Sequence, residues 1–170
     1  MADFEQRCAI LVDVQNLFYS AKHLYGGKIN FDYLLEATSR RRKVVRAIAY
    51  AVKTPEIDQE KFVKLLYDLG FEIRMKDLKV RADGTAKGDW DMGLAIDAIG
   101  LIDKVDCVVL VSGDGDYVPL VEHLKARGCR VEVYSFRTNT AQELVGSATE
   151  YYPMDDKYIF RTGRDRKQEK

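Results

Sequence analysis

The stretch Val108-Val109-Leu110-Val111-Ser112-Gly113-Asp114-Gly115-Asp116-Tyr117 decides the fold that we expect for this chain. It begins with four apolar residues, three of them β-branched, which is typical of a strand covered on both faces. The apolar run ends at Ser112, and two carboxylates follow, Asp114 and Asp116, with one glycine between them. In open α/β sheets, ligands bind beside the carboxyl ends of the central strands. The stretch therefore predicts an acidic functional site at one edge of a buried parallel sheet.

Outward from this strand, apolar strands alternate with helices along the chain. Strand patterns cover residues 7–13, 43–52, 71–75, 105–111 and 130–136, and a last strand is expected within 151–160. Helical patterns cover residues 16–25, 30–39, 54–70, 87–101, 117–126 and 140–148. Thr54 and Pro55 predict the start of the third helix, with Thr54 as its N-cap. This alternation predicts a three-layer α/β/α fold with a mostly parallel central sheet.

Length and composition indicate one globular domain. The chain has 170 residues, which we divide into a domain over 1–160 and a charged, mobile tail over 161–170. The formal net charge is zero, with 27 basic and 27 acidic residues, so any nucleic-acid contact has to rely on local patches. No apolar run approaches the ~20 residues of a membrane span, and the N-terminus lacks an apolar signal region. We therefore expect a cytoplasmic protein without membrane contact.

Two further carboxylates are expected at the same edge of the sheet. Asp13 ends the first strand, and Asp91 lies in the first turn of the helix that precedes the 105–111 strand. If the two strands are neighbours where the strand order reverses, Asp13, Asp91, Asp114 and Asp116 share one crevice. Clustered carboxylates repel each other unless a cation neutralises them, and Mg²⁺ and Mn²⁺ prefer oxygen ligands. The pattern thus predicts a metal site suited to phosphodiester hydrolysis.

Each of these carboxylates also has a structural interpretation. An aspartate after a strand is often only a helix N-cap, which applies to Asp13 and Asp114. Asp91 could complement the helix dipole, Asp89 could cap the same helix, and Asp97 could be a buried partner for a cation. A Gly-Asp-Gly-Asp string also occurs in calcium loops and ordinary turns. The metal site is favoured because all four carboxylates are expected in one crevice.

Three sequence blocks resemble the signature of NYN domains, in their LabA-like branch within the PIN-like nuclease superfamily. The blocks are Val12-Asp13-Val14-Gln15-Asn16, then Lys87-Gly88-Asp89-Trp90-Asp91 with Ala95-Ile96-Asp97-Ala98, and Val111-Ser112-Gly113-Asp114-Gly115-Asp116-Tyr117-Val118-Pro119-Leu120. They follow the family's order and spacing, and the resemblance runs from about residue 8 to about residue 150. It departs from the family at Asp89, where the pattern is usually uncharged, and at Tyr117, where Phe is common.

The resemblance implies a PIN-like, Rossmannoid fold and a ribonuclease that depends on Mg²⁺ or Mn²⁺. By position it makes Asp13, Asp91, Asp114 and Asp116 both catalytic and metal-binding. It further implies that Asn16 orients the first carboxylate, that the Ser112 hydroxyl lies beside the metal, and that Lys87 could hold a phosphate. Thr138 and Asn139 follow the 130–136 strand on the same sheet edge and could contact substrate. The basic run 40–43 is a candidate RNA-contacting patch.

We therefore expect a metal-dependent endoribonuclease acting on single-stranded or structured RNA. One alternative is a catalytically weak NYN protein that regulates or binds nucleic acid, although such a module has no need of a self-repelling acidic cluster. A second alternative is another Mg²⁺-dependent phosphoryl-transfer enzyme. A phosphatase would need a second Asp two residues after Asp13, where this chain has Gln15. A homodimer is left open.

Overall fold

The fold is seen in a computed structural model, which describes residues 5–55, 58–84, 86–87 and 89–160, with only the backbone of Ala86 and Lys87. The predicted charged tail, 161–170, lies outside the described residues. Among the described residues, no helix has the length and apolar character needed to cross a bilayer.

Strands and helices alternate as the sequence predicts. The strands are β1 (Arg7–Asp13), β2 (Lys28–Ile29), β3 (Lys43–Lys53), β4 (Glu72–Asp77), β5 (Lys79–Val80), β6 (Ala86–Lys87), β7 (Cys107–Val111), β8 (Arg130–Ser135), β9 (Glu150–Pro153) and β10 (Ile159–Phe160). The helices are α1 (Val14–Tyr25), α2 (Phe31–Ser39), α3 (Gln59–Leu69), α4 (Asp91–Leu101), α5 (Val118–Ala126) and α6 (Gln142–Ser147). Short 3₁₀ turns lie at Gly115–Tyr117, Arg137–Asn139 and Asp156–Tyr158.

Six strands form one parallel sheet in the order β4-β3-β1-β7-β8-β9. From β1 the chain proceeds to β3 on one side, and it returns later to place β7 on the other side. The strand order therefore reverses between β1 and β7, which is where ligands bind in open α/β sheets. The predicted α/β fold with a mostly parallel central sheet is confirmed.

Helices cover both faces of this sheet. The buried residues of β1 alternate between two apolar clusters, one on each face. Ile10 packs with residues of α1, α2 and α3 on one face, whereas Leu11 packs with residues of α4, α5 and α6 on the other. Successive side chains of a strand point to opposite faces, so a strand with two covered faces is apolar throughout. This explains why residues 8–12 are all fully buried.

Two predicted helix starts are wrong. Helix α3 begins at Gln59 with Asp58 as its N-cap, whose side chain accepts a hydrogen bond from the Lys61 amide over 3.3 Å, so Thr54 and Pro55 precede the helix. Helix α4 begins at Asp91 with Trp90 in the N-cap position, so Asp89, the capping residue that the sequence offers, does not occupy it.

Candidate active site

Three segments that are distant in sequence meet at the carboxyl edge between β1 and β7. Val12 pairs with Val111 in register, so the residues that follow them, Asp13 and Ser112, leave the sheet side by side. The 3₁₀ turn Gly115–Tyr117 follows β7, and α4 contributes its first residue, Asp91. The three segments that the sequence predicts at this edge therefore lie next to one another.

Three carboxylates lie close enough together to hold one metal ion. One oxygen from each of Asp91, Asp114 and Asp116 lies within 4.8 Å of the others. Asp114 also caps the turn, since its Oδ1 accepts a hydrogen bond from the Asp116 amide over 3.0 Å. The capping interpretation and the metal interpretation therefore describe the same side chain, because a carboxylate has lone pairs for both.

Asp13 contacts this group through hydrogen bonds to hydroxyl groups. Its Oδ2 accepts from Ser112 Oγ over 3.0 Å and lies 3.4 Å from the Tyr117 hydroxyl, while its Oδ1 accepts from the Asn16 amide over 3.2 Å. Burial raises the pKa of Asp13 to about 6, the hydrogen bonds from Asn16 and Ser112 oppose this rise, and the charges of Asp91 and Asp114 add to it. Asp13 is also the N-cap of α1, as its alternative interpretation proposed.

Tyr117 joins two of the carboxylates. Its hydroxyl donates to Oδ1 of Asp91 over 3.0 Å and lies 3.4 Å from Oδ2 of Asp13. Burial first, and then the charges of Asp13 and Asp91, raise the pKa of Tyr117 above its ordinary value, so the phenol stays protonated at neutral pH. Burial and the charge of Asp114 also raise the pKa of Asp91, against the lowering effect of the Tyr117 hydrogen bond.

Asn16 and Asn139 position the backbone around the site. Asn16 Oδ1 accepts a hydrogen bond from the Gly113 amide over 3.0 Å, so the Asn16 side chain binds the loop after β7. The contact between Asn16 and Asp13 is made by the Asn16 backbone amide. Asn139 Nδ2 donates to Ser20 Oγ over 3.1 Å, which fastens the loop after β8 to α1. A Cβ at Gly113 would lie 2.3 Å from the Asn139 carbonyl oxygen, so only glycine fits this approach. Thr138 in the same loop is exposed.

Trp90 is an anchor beside the acidic group. Its Nε1 donates to the Ala51 carbonyl over 2.8 Å, and its ring centroid lies 5.7 Å from that of Tyr50. Lys76 Nζ lies 4.2 Å from the ring centroid. Since Asp91 is the next residue, the packing of Trp90 positions the backbone from which the Asp91 side chain extends.

Three sequence expectations fall outside the acidic group, and for a fourth, Lys87, the structure describes only the backbone. Asp89 is exposed at the entrance to α4, where its charge raises the pKa of Asp91. Asp97 pairs with a cation as the sequence suggested, with Arg74 Nε 3.1 Å from its Oδ2, but it is half-buried where a buried partner was expected. Lys87 lies on β6, and its side chain is outside the described residues. The basic run 40–43 precedes and begins β3, so it lies at the opposite, amino edge of the sheet.

Sequence reasoning missed the function of the Tyr117 hydroxyl. The only signal was a Tyr at a position where the resembled family commonly has Phe. Whether that extra oxygen meets solvent or a carboxylate depends on how the 3₁₀ turn packs under α4, which no local pattern encodes.

A parallel α/β sheet with an acidic group at the reversal of its strand order defines a Rossmannoid domain with a candidate cation site. Within this class, the chain belongs to the NYN domain family, which its sequence matches over residues 7–155. The predicted resemblance to NYN domains of the PIN-like nuclease superfamily is thereby confirmed.

Two relatives extend this comparison to almost the whole chain. The Low amplitude and bright protein LabA from Synechococcus elongatus is 30% identical over 175 residues, covering 96% of this chain and 93% of LabA. A crystal structure of a protein of unknown function from Vibrio parahaemolyticus has a TM-score of 0.87 and 37% identity, covering 94% of this chain and 99% of that chain. The match to LabA agrees with the branch that the three blocks indicate.

Proposed function

We propose that this protein is a metal-dependent ribonuclease that hydrolyses phosphodiester bonds of RNA with Mg²⁺ or Mn²⁺. The observation that carries the proposal is the group formed by Asp91, Asp114 and Asp116, whose oxygens lie within 4.8 Å of one another. Three carboxylates so close repel each other, and a divalent cation removes that repulsion. Membership in the NYN domain family supports a nuclease.

The donor set fits a hard divalent cation. Carboxylate oxygens are the ligands that Mg²⁺ and Mn²⁺ prefer, and the exposed side of Asp116 leaves room for water and a phosphate. When bound, such an ion supplies Lewis-acid stabilisation of the phosphate and a more acidic water molecule. Asp91, Asp114 and Asp116 would hold it.

Asp13 is proposed as the fourth catalytic carboxylate. Its Oδ2 accepts from Ser112 and lies near the Tyr117 hydroxyl, whereas its Oδ1 accepts from the Asn16 amide and keeps a lone pair that could bind a cation. Burial, and to a smaller extent the charges of Asp91 and Asp114, raise the pKa of Asp13 to about 6, so a nearby cation would favour its ionised form. Ser112 orients Asp13, and Asn16 holds the adjacent loop.

Cations at the end of β4 and on the segment between β4 and α4 support a nucleic-acid substrate. Lys76 lies against Trp90, and the short antiparallel pair β5–β6 carries Lys79, which is exposed, and leads to Arg81. Such residues contact phosphates in a manner that weakens with salt. We propose this basic rim as the RNA contact, with Lys87, Thr138 and Asn139 as further substrate-binding candidates.

The test is hydrolysis of single-stranded and structured RNA with Mn²⁺, Mg²⁺ or chelator. Asp114→Asn is expected to reduce the rate at least a hundredfold, whereas Glu122→Gln, an exposed carboxylate on α5, should match the wild type. RNA binding without hydrolysis would favour the regulatory alternative. Hydrolysis of phosphomonoesters alone would favour the second alternative, another Mg²⁺-dependent phosphoryl-transfer enzyme. Activity that survives Asp114→Asn would contradict the assigned roles, and sedimentation of the same protein tests the homodimer.

A further inference from the structure

One phenolic hydroxyl lies between two carboxylates that come from different segments. The Tyr117 oxygen lies 3.0 Å from Oδ1 of Asp91 and 3.4 Å from Oδ2 of Asp13. A phenol has one hydrogen to donate, so the shorter contact is the stronger hydrogen bond. Ser112 already donates to the same Asp13 oxygen over 3.0 Å, whereas, among the residues that the structure describes, Tyr117 is the side chain that donates to Asp91.

The position of this hydroxyl is determined by the packing of its ring. Tyr117 ends the 3₁₀ turn that carries Asp116, and only 2% of its surface is exposed. The ring lies in the apolar cluster that contains Leu94 of α4 and Leu144 of α6. A buried ring has little rotamer freedom, so its oxygen is a fixed point against which Asp91 is oriented.

We propose that Tyr117 is a positioning residue of the metal site, whose hydroxyl holds Asp91 in the orientation in which it binds a cation together with Asp114 and Asp116. This inference rests on the proposed function, because it takes these three carboxylates as metal ligands. Residues that donate hydrogen bonds to metal ligands orient them and contribute to metal affinity.

A phenol suits this position better than a cationic side chain. A Lys or Arg between Asp13 and Asp91 would neutralise them and compete with the metal ion for the same charges. A Phe would fill the same volume and leave the Asp91 oxygen without its donor. The Tyr hydroxyl orients the carboxylate and leaves its charge available for the cation.

Tyr50 offers a matched control. It is also buried, and its hydroxyl donates to a carboxylate, Oδ2 of Asp97, over 2.7 Å. Asp97 lies outside the group of Asp91, Asp114 and Asp116. Tyr50→Phe therefore removes the same kind of hydrogen bond from the same core without touching a proposed ligand.

The experiment measures Mn²⁺ affinity by calorimetry or electron paramagnetic resonance for four proteins, with folding checked by circular dichroism. The wild type is expected to bind, Asp114→Asn to lose binding, Tyr117→Phe to bind roughly tenfold more weakly, and Tyr50→Phe to match the wild type. Equal affinities of Tyr117→Phe and the wild type would overturn the positioning role and leave the proposed function intact. A wild type that binds no Mn²⁺ would overturn the proposed function itself.

A second measurement does not depend on the stability of the variant. In wild-type protein labelled with fluorotyrosine, Mg²⁺ is expected to shift the fluorine resonance of Tyr117 and to leave that of Tyr50 unchanged. A Mg²⁺-saturated protein with an unshifted Tyr117 resonance would overturn the inference, because an oriented ligand and its donor sense the bound ion together.

Discussion

Ser112 Oγ donates a hydrogen bond to Oδ2 of Asp13 over 3.0 Å, and this contact joins the ends of two neighbouring parallel strands. Ser112 Oγ also accepts a hydrogen bond from the Asp114 amide over 3.2 Å. One buried hydroxyl thus links the carboxylate that ends β1 to the loop that carries two others. The acidic group depends on the strand register because this link exists only when Asp13 and Ser112 leave the sheet together.

Replacing Ser112 with alanine is expected to destabilise the fold. Ser112→Ala leaves the Asp114 amide without its acceptor and leaves Oδ2 of Asp13 with only the 3.4 Å contact to the Tyr117 hydroxyl, which costs about 1–3 kcal/mol of unfolding free energy. Ser39→Ala, which removes a hydroxyl bonded to the Glu36 carbonyl at an exposed helix end, is expected to cost less than about 0.5 kcal/mol. Urea unfolding measures both, and equal midpoints would contradict the role of Ser112.

The raised pKa of Asp13 predicts a specific pH dependence. A carboxyl with a higher pKa in the folded protein binds its proton more tightly there, so it contributes stability at low pH that is lost as the pH rises. Its ordinary value is 3.8 and its folded value is about 6, so the loss falls between pH 4 and 6. It amounts to about 2–3 kcal/mol in the metal-free protein.

The comparison variant for this pH dependence is Asp13→Asn, which does not titrate. Over pH 4–6 in chelator, the unfolding free energy of the wild type is expected to fall relative to that of the variant. Saturating Mg²⁺ should reduce the fall, because the ion binds the ionised carboxylates and competes with the proton. Parallel stability curves for the two proteins in chelator would show that Asp13 titrates normally.

Two glycines of α4 are expected to respond oppositely to alanine. A Cβ at Gly93 would lie 2.6 Å from Trp90 Cε3, whereas one at Gly100 meets nothing within 4 Å. Gly93→Ala should cost about 1–3 kcal/mol through overpacking, and Gly100→Ala should gain about 0.5–1 kcal/mol from helix propensity. Thermal melts measure both.

The same pair of variants tests the link between Trp90 and the acidic group. Trp90 is the single tryptophan of the chain, so its fluorescence reports a shift of the ring. Gly93→Ala is expected to change the emission and weaken Mn²⁺ binding, because Asp91 follows Trp90 directly. Unchanged emission and Mn²⁺ affinity in Gly93→Ala would show that Trp90 does not position Asp91.

The basic run 40–43 is expected to stabilise the fold at the edge away from the site. Arg42 binds both oxygens of Glu132 over 3.0 and 2.9 Å, and Glu132 is 1% exposed. Arg42→Ala should cost about 1–3 kcal/mol, because it removes two charge-assisted hydrogen bonds from the buried Glu132 carboxylate and leaves it paired with Arg130. Lys43→Ala, at an exposed position, should cost less than about 0.5 kcal/mol.

RNA affinity distinguishes this structural role from the RNA-contacting patch that the sequence suggested. Both variants, when folded, are expected to bind RNA as the wild type does, whereas Lys79→Gln on the rim should weaken binding most at low salt. A salt-dependent loss of RNA affinity in Lys43→Ala would instead support the hypothesis that residues 40–43 contact RNA.

The helix starts show where local signals were insufficient. Thr54-Pro55 and Asp58 are both acceptable beginnings for the third helix, and the helix uses Asp58, whose side chain bonds the Lys61 amide. Asp89 is a good capping residue by type, yet Trp90 takes the N-cap position of α4, where its ring packs on Tyr50 and bonds the Ala51 carbonyl. Tertiary packing selects among local alternatives that have similar energies.

The sequence by itself determined the alternating α/β fold and the location of an acidic edge, because these depend on short-range patterns. Apolar runs such as 108–111 identify covered parallel strands, and the aspartates that end them lie at the carboxyl edge in any such sheet. Only the tertiary structure decided which oxygens meet. The Tyr117 hydroxyl reaches Asp91 across 26 positions and Asp13 across 104, and such contacts depend on strand register and helix packing that no local pattern contains.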